Sequence, residues 1–449
     1  MIFFVKLILV LITFQDVLFS IGLRLTKNSL LIYYLLMAKD IIVYLIFFIL
    51  VLKNIKKFYP NIAIVLYLLT CVIFFFISEA PMNSRFISFR ALTLPFVTVI
   101  IGYLINKKEF KMSFLMRYLN FIIFLCILGM IDFFINSTAL WRDFIGIGEY
   151  IRIVKGADAF VYNGLPGNFF GDYGNGFFST KRMISTFASP LTAAYFLIVP
   201  FLYLFFTVEK NIKNKDTNLK KNFLKVLLIG VTIYLTYSRV ILIATTISLL
   251  LYLLFKKKLR ILSIGFALSV TIFFMLNIST ISVYLNDSST NGHIMSVLYS
   301  LKEISIFGNG VGTFGAWAAA LTGNAFSTEN AYLSIIGQVG LLGFIYFIAS
   351  WLLMLYAIVK HFQIIKLNNA AMDEKQLVLI RTIAFSTIIY MMTGMISEQI
   401  LTFTSIFHYW FLLGYLLSTL NSYGKLPIKH FSESIVKEPI DPIYITNQQ

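Results

Sequence analysis

Charge is scarce in this sequence. Only 13% of its 449 residues are Asp, Glu, Lys or Arg, where a soluble domain has roughly a quarter. That shortage excludes a water-soluble globular protein, because too little polar surface is left to cover a core of this size. Cysteine is almost missing. Cys71 and Cys126 lie in separate apolar runs, which excludes a disulfide framework or thiolate metal site and leaves both as small buried residues. Histidine is thin too: four in the chain, of which His293 alone falls in an outer loop. With no D-x-D or E-x-D pair in those loops, a bound metal is not expected, and no motif asks for another cofactor.

Hydrocarbon fills the space instead. The chain is 59% hydrophobic, with 46 Phe and 25 Tyr, and its mean hydropathy is +0.84. Apolar runs near the bilayer-crossing length of about twenty residues predict twelve spans. They lie near residues 3–22, 30–52, 60–78, 91–106, 113–135, 185–207, 223–237, 239–255, 261–280, 331–358, 377–397 and 399–419. The fold expected is therefore an all-α polytopic membrane protein, with a membrane domain over 1–424 and a tail over 425–449. The first run carries Lys6 and Asp16 and only a weak small-residue pattern at Ser20-Ile21-Gly22, so it reads as a span rather than a signal peptide. No tandem repeat or inverted transporter repeat is visible.

Basic residues outnumber acidic ones by 37 to 20, and alternate loops hold most of the excess. Lys53, Lys56, Lys57, Lys107, Lys108, Lys111, the stretch EKNIKNKDTNLKKNFLK, KKKLR, the 359–376 loop and the tail all share one side. The positive-inside rule makes that side cytoplasmic, both termini included. The net charge of +17 is thus mainly a topology signal, and nucleic acid drops out as a partner.

Two outer loops, about 136–184 and 281–330, are far longer than the rest, and loops of such length are commonly functional. The first is rich in Gly, Asn and aromatics (NGLPGNFFGDYGNGFF); the second has an amphipathic segment, HIMSVLYSLKEISIF, then FGNGVGTFG. That last stretch contains G-x-G-x-x-G at Gly310, Gly312 and Gly315. A dinucleotide reading fails for want of a surrounding βαβ unit, and permissive turns against the membrane surface are expected instead.

Seven of ten arginines lie on the outer side: Arg24, Arg85, Arg90, Arg142, Arg152, Arg182 and Arg239. Topology disfavours both cations there, so arginine is kept where a planar, always-charged, multi-donor group suits phosphate. About half should be head-group anchors. Arg182 and Arg239 stand apart. Arg239, with Tyr237 and Ser238, interrupts two apolar runs in LTYSRVILIA, and Arg182 precedes a helix opened by Pro190, whose N-terminal amides would face a phosphate. Glu329, with Ser327 or Thr328 as an N-cap before AYLSIIGQVGLLG, is either a dipole-complementing acid or a general base. Glu398, in the short outer turn MISEQ, is the second candidate base. Within the membrane, Lys39 and Asp40 are expected to pair rather than relay protons.

In RMISTFASP, TYSR, FGNGVGTFG and ENAYLSIIGQVGLLG, in this order within a twelve-span layout, the chain resembles the O-antigen polymerase and ligase superfamily of bacterial membrane glycosyltransferases. The resemblance implies a GT-C-like helical fold in the bacterial cytoplasmic membrane and metal-independent, inverting transfer on its outer face. Undecaprenyl diphosphate would be the leaving group, and no cofactor is implied. Arg182 and Arg239 match the family's outward arginines. Ligases carry His-Asn, nine residues, Gly, two residues and Gly; here Glu329-Asn330 precede Gly340 and Gly343. Glutamate in place of that histidine favours a Wzy-type polymerase of O-antigen, capsule or exopolysaccharide. The site expected is Glu329, Arg182 and Arg239 for catalysis, with Arg85, Arg90, Asn330, Tyr237, His293 and Glu398 binding substrate. The partners expected are the undecaprenyl-diphosphate-linked oligosaccharide, membrane lipid, a chain-length regulator and a flippase. A ligase, or a flippase of another class, are the alternatives.

Overall fold

A computed structural model describes residues 2–54, 61–105, 112–135, 137–154, 156, 161–170, 181–255, 288–322, 328–367 and 373–424. The 261–280 span, the 425–449 tail and Ser327 lie outside these residues. Among them the chain is almost wholly helical, as its apolar composition demands. The helices are α1 (Ile2–Thr26), α2 (Ser29–Lys53), α3 (Ile62–Ile77), α4 (Met82–Leu104), α5 (Met112–Ile135), α6 (Ile147–Ile153) and α7 (Pro190–Asn214). There follow α8 (Leu219–Leu235), α9 (Arg239–Phe255), α10 (Ser288–Glu303), α11 (Ala316–Thr322), α12 (Ala331–Leu367), α13 (Glu374–Gly394) and α14 (Phe403–Gly424). Eight of these, α1, α2, α4, α5, α7, α12, α13 and α14, are long and apolar enough to cross a membrane. α3 and α9 are apolar but shorter.

The antiparallel order places turns of one kind together. One end of the bundle carries Arg182, Arg239 and Glu398, the other Lys53, Lys210 and Glu374. The most buried helices are α14, α7 and α4, while α2 exposes most of its length. α4 and α14 touch backbone to backbone: a Cβ at Gly414 would overlap the Val99 carbonyl oxygen, and one at Gly102 the Phe411 carbonyl oxygen. Small residues that admit such approach are the usual contact of helices in lipid, where hydrophobicity alone cannot drive packing. The two cysteines are buried and unpaired.

Several charges inside the bundle are paired, which offsets their desolvation. Arg90 donates to Asp40 at 2.9 Å, with Lys39 3.4 Å from the same carboxylate. Lys39 also donates to Gln15, and Arg381 meets Glu209 at 3.4 Å. The expected Lys39–Asp40 pairing is present, with Arg90 as the third member.

The first long loop is not a loose connection. A π-helical turn (Leu140–Ile145), α6, a hairpin of β1 (Val161–Tyr162) with β2 (Leu165–Pro166) and a 3-10 turn (Gly167–Phe169) form a cap. Trp141, Ile145, Ile147, Tyr150, Ile151 and Phe169 are its core, packed on Leu23 of α1 and on Ile32 and Leu36 of α2.

The glycine-rich stretch of the second loop is inserted between the α3–α4 turn and α12. Ser78 and Ser84 donate to the Val311 and Gly312 carbonyls. Gly340 breaks α12 with φ +74°, and the freed groups find partners in this stretch: Asn309 N–H donates to Gly337 O, Gly310 N–H to Gln338 O, and Leu341 N–H to Ile306 O. Broken backbone at membrane depth persists only when protein satisfies it in this way.

Candidate functional site

The segment 181–189 enters the bundle through an isolated β-bridge of Lys181 with Phe170 and then without regular structure, held by side-chain and backbone contacts rather than by a helix. Lys181 is buried and donates to Asp132 Oδ1 at 3.0 Å and to the Asp132 carbonyl at 2.9 Å, and Trp141 Nε1 donates to the same carboxylate. Ser185 and Ala188 adopt φ +52°, an uncommon state for residues other than glycine that surrounding contacts must enforce. Ser189 then caps α7, with Pro190 in its first turn, so the helix starts at 190 rather than 185. Breaking the Lys181–Asp132 pair leaves a buried carboxylate uncompensated. Lys181→Met is accordingly expected to cost about 3–5 kcal/mol of stability, read by thermal unfolding in detergent; a change within 0.5 kcal/mol would contradict this anchoring role.

This anchoring fixes Arg182. Its backbone N–H donates to Phe169 O in the cap, its Nε to Thr236 O at 2.8 Å, and a terminal nitrogen lies 3.5 Å from Tyr237 O. The same turn carries Arg239 as the first residue of α9. Burial, and then the neighbouring Arg239 guanidinium, pull Arg182 down to about 10. Among the described residues no carboxylate pairs with Arg182. Two guanidiniums and a helix N-terminus therefore converge, an arrangement favourable to an anion.

A second group forms where α12, α13 and α14 meet at the same end. Glu398 lies in a 3-10 turn (Glu398–Leu401). Its Oε2 accepts Ala316 N–H at 3.0 Å, while its Oε1 is sealed from solvent beside Ser334 and makes no hydrogen bond of normal geometry. Burial lifts this carboxyl to about 7, opposed by Ser334 and the Ala316 N–H and reinforced by the charge of Glu329. Glu398 opens on a cavity of about 60 Å³ lined also by Ser88, Arg90, Ser334, Gln338 and Thr402.

Glu329 is exposed, and Thr328 beside it is buried. The cap of α12 is Asn330, not Ser327 or Thr328: its Oδ1 accepts the Tyr332 and Leu333 N–H groups, and its Nδ2 donates to Met395 O. Glu329 thus stands just before the helix rather than in its first turn. α7 links the two groups, since Thr192 donates to Gln399 beside Glu398 at 3.2 Å.

The structure thus gathers Arg182, Tyr237 and Arg239 in one group and Glu329, Asn330, Glu398 and Arg90 in another. Arg85 and Arg90 are not loop residues but ride on α4. Arg85 donates to Ala80 O, and Asp40 neutralises Arg90, which weakens it as an independent phosphate ligand. His293 falls on α10. Sequence reasoning missed Lys181 and Ser334, whose roles rest on partners distant in the chain; the lysine beside Arg182 was the one available signal. No protein-family model matches the chain, and no curated protein matches it.

Proposed function

We propose that this chain is a glycosyltransferase that polymerises undecaprenyl-diphosphate-linked oligosaccharide repeat units on the outer face of the bacterial cytoplasmic membrane, with both termini cytoplasmic. The observation that carries this reading is the Arg182–Arg239 pair, two like charges held together at the end of a membrane bundle that the charge bias assigns to the outside. Such a pair favours a ligand with closely spaced negative charges, and a lipid diphosphate supplies them at this depth. As the bond between the anomeric carbon and the diphosphate oxygen breaks, charge grows on that oxygen, where fixed guanidiniums stabilise it most. The acceptor hydroxyl oxygen forms the new bond to the anomeric carbon from the opposite face and gives its proton to a carboxylate. The donor already carries its leaving group, so neither nucleotide nor metal enters the step. Arg85 is left to meet the acceptor's diphosphate.

Glu329, exposed at the mouth of the second group, is the proposed base. Glu398 is the second reading, favoured by its sealed oxygen and its value of about 7, since a base works best with a pKa near the working pH. Glu398→Gln distinguishes them. If Glu398 takes the proton, the wild-type rate rises with pH through about 7, and the variant loses both rate and that rise. If Glu329 does, Glu329→Gln abolishes turnover while Glu398→Gln retains it. Stability gives a separate readout: a carboxyl lifted by burial stabilises the fold fully below the ordinary glutamate range, and that contribution is lost as pH rises through about 7. Glu398→Gln removes this dependence.

In cells, loss of the chain is expected to accumulate single-repeat lipid-linked units. Long lipid-linked chains that fail to reach the surface would instead indicate a ligase, and absence of outer-leaflet units a flippase.

A further inference from the structure

The cap carries a second arginine group with no part in the step above. Arg24 reaches it from the last turn of α1, Arg142 from the π-helical turn and Arg152 from α6, so that three separate elements wall one cleft of about 640 Å³ together with Asp143 and Glu149. That volume is in the usual range of ligand sites, about 300–1,000 Å³. The charged side chains alternate with the cap's core: Trp141 and Ile151 point into it and are buried, while Arg142 and Arg152 beside them are exposed.

Glycines build the floor. Gly146 and Gly164 take φ +73° and +75°, which side-chain-bearing residues rarely adopt. A Cβ at Gly148 would overlap the Gly164 carbonyl oxygen, so the start of α6 and the hairpin turn touch through backbone alone, and one at Gly164 would stand 2.9 Å from Arg142 Cγ. The Arg142 stem therefore lies flat on the hairpin turn. Its head is fixed by Asp143, with Nε to Oδ1 at 2.8 Å and a terminal nitrogen to Oδ2 at 2.9 Å. Arg142, and more weakly Arg24, keep Asp143 below the usual carboxylate range, so among the described residues the cleft presents three positive and two negative planar groups.

We infer that this cleft binds an anionic saccharide, one bearing carboxylate or phosphate on its sugars. A single excess positive charge selects for an anion, while guanidinium and carboxylate edges offer donors and acceptors matched to sugar hydroxyls. A lipid head group suits the cleft less well, because Asp143 and Glu149 would repel its phosphate and, among the described residues, Val161 is the one aliphatic side chain in the lining. The cap is also continuous with the first group, since Phe169 of its core accepts the Arg182 N–H. On the proposed polymerase reading, the cleft is a holding site for the acidic glycan beyond the reacting units.

The test is calorimetric binding to the full chain in phosphatidylcholine nanodiscs, with tetragalacturonate as anionic probe and maltotetraose as neutral control. Tetragalacturonate is expected to bind at least about tenfold more tightly than maltotetraose, a preference that removal of two charge-assisted contacts should erase. Arg142→Ala/Arg152→Ala should erase it with the thermal midpoint retained, because both side chains are exposed. Gly164→Ala, which displaces the Arg142 stem, should weaken binding in the same direction, and Arg182→Ala/Arg239→Ala should leave it intact. No tetragalacturonate binding, binding unchanged in the Arg142/Arg152 variant, or arginine-dependent capture of phosphatidylglycerol vesicles in its place would each overturn the assignment. Polymer formation surviving in the Arg182/Arg239 variant would overturn the polymerase reading and leave the cleft result standing.

Discussion

Arg182→Ala/Arg239→Ala is expected to stop chain growth while the protein still reaches the membrane at its normal level. Removal of one preorganised charge-stabilising donor commonly lowers turnover by about 10²–10³. Two such groups on one diphosphate act as a unit, so the double variant should fall little further than the worse single one. Arg182 also braces the turn before α9 by donating to Thr236 O, so Arg182→Ala should lose some thermal stability as well as turnover. Arg182→Lys keeps the charge but not the planar fork, and partial activity is expected. The measurement is the length distribution of lipid-linked product on a gel, normalised to membrane protein. Normal long chains from the double variant would remove the arginine pair from the mechanism.

The largest effect on the fold is expected at the α4–α14 contact. Gly414→Ala places a methyl group where the Val99 carbonyl oxygen already stands, and Gly102→Ala does the same at Phe411. Backbone cannot rotate aside as a side chain can, so the cost should lie at or above the upper end of the about 1–3 kcal/mol typical of overpacking. These helices are among the most buried in the bundle, and α14 begins two residues after the turn that carries Glu398, so a shift there also moves the second group. The two substitutions act on one contact and should be less than additive in combination. Gly292→Ala is the control: among the described residues nothing lies within 4 Å of its added Cβ, and in the interior of α10 alanine should be neutral or stabilising by up to about 1 kcal/mol. Thermal unfolding of the three variants in detergent measures this directly. Equal midpoints for Gly414→Ala and Gly292→Ala would show that the two helices do not meet as described.

Helices were legible where the signal was local. Apolar runs located α1, α2, α5 and α9 closely, because length and composition alone decide whether a segment can enter a bilayer. The start of α7 was misplaced by five residues: Ser185-Thr186-Phe187-Ala188 is apolar enough to read as helix, yet its backbone is held off the helix by contacts with Leu125 and Thr13, and that of Met183 just before it by Leu235, none of them near in sequence. The break at Gly340 escaped for a related reason. Glycine is common in membrane helices, and only the inserted 306–310 stretch makes this one a hinge. In the cap, the apolar residues span too few turns for a periodic signal, so Trp141 and Phe169 could not be recognised as a core. For the candidate site, outward arginines were visible through their asymmetry with lysine. Their division was not, because Arg182 meets Arg239, and Arg90 meets Asp40, across about fifty or more positions of sequence.

Reconstitution tests the central claim most directly. The purified chain in proteoliposomes is supplied with undecaprenyl-diphosphate-linked repeat units, without nucleotide sugar and with a divalent-metal chelator present. The account predicts a ladder of longer lipid-linked chains that grows with time and is missing with Arg182→Ala/Arg239→Ala. Persistence of the single-repeat substrate with the wild-type chain, or an equal ladder from the variant, would contradict it.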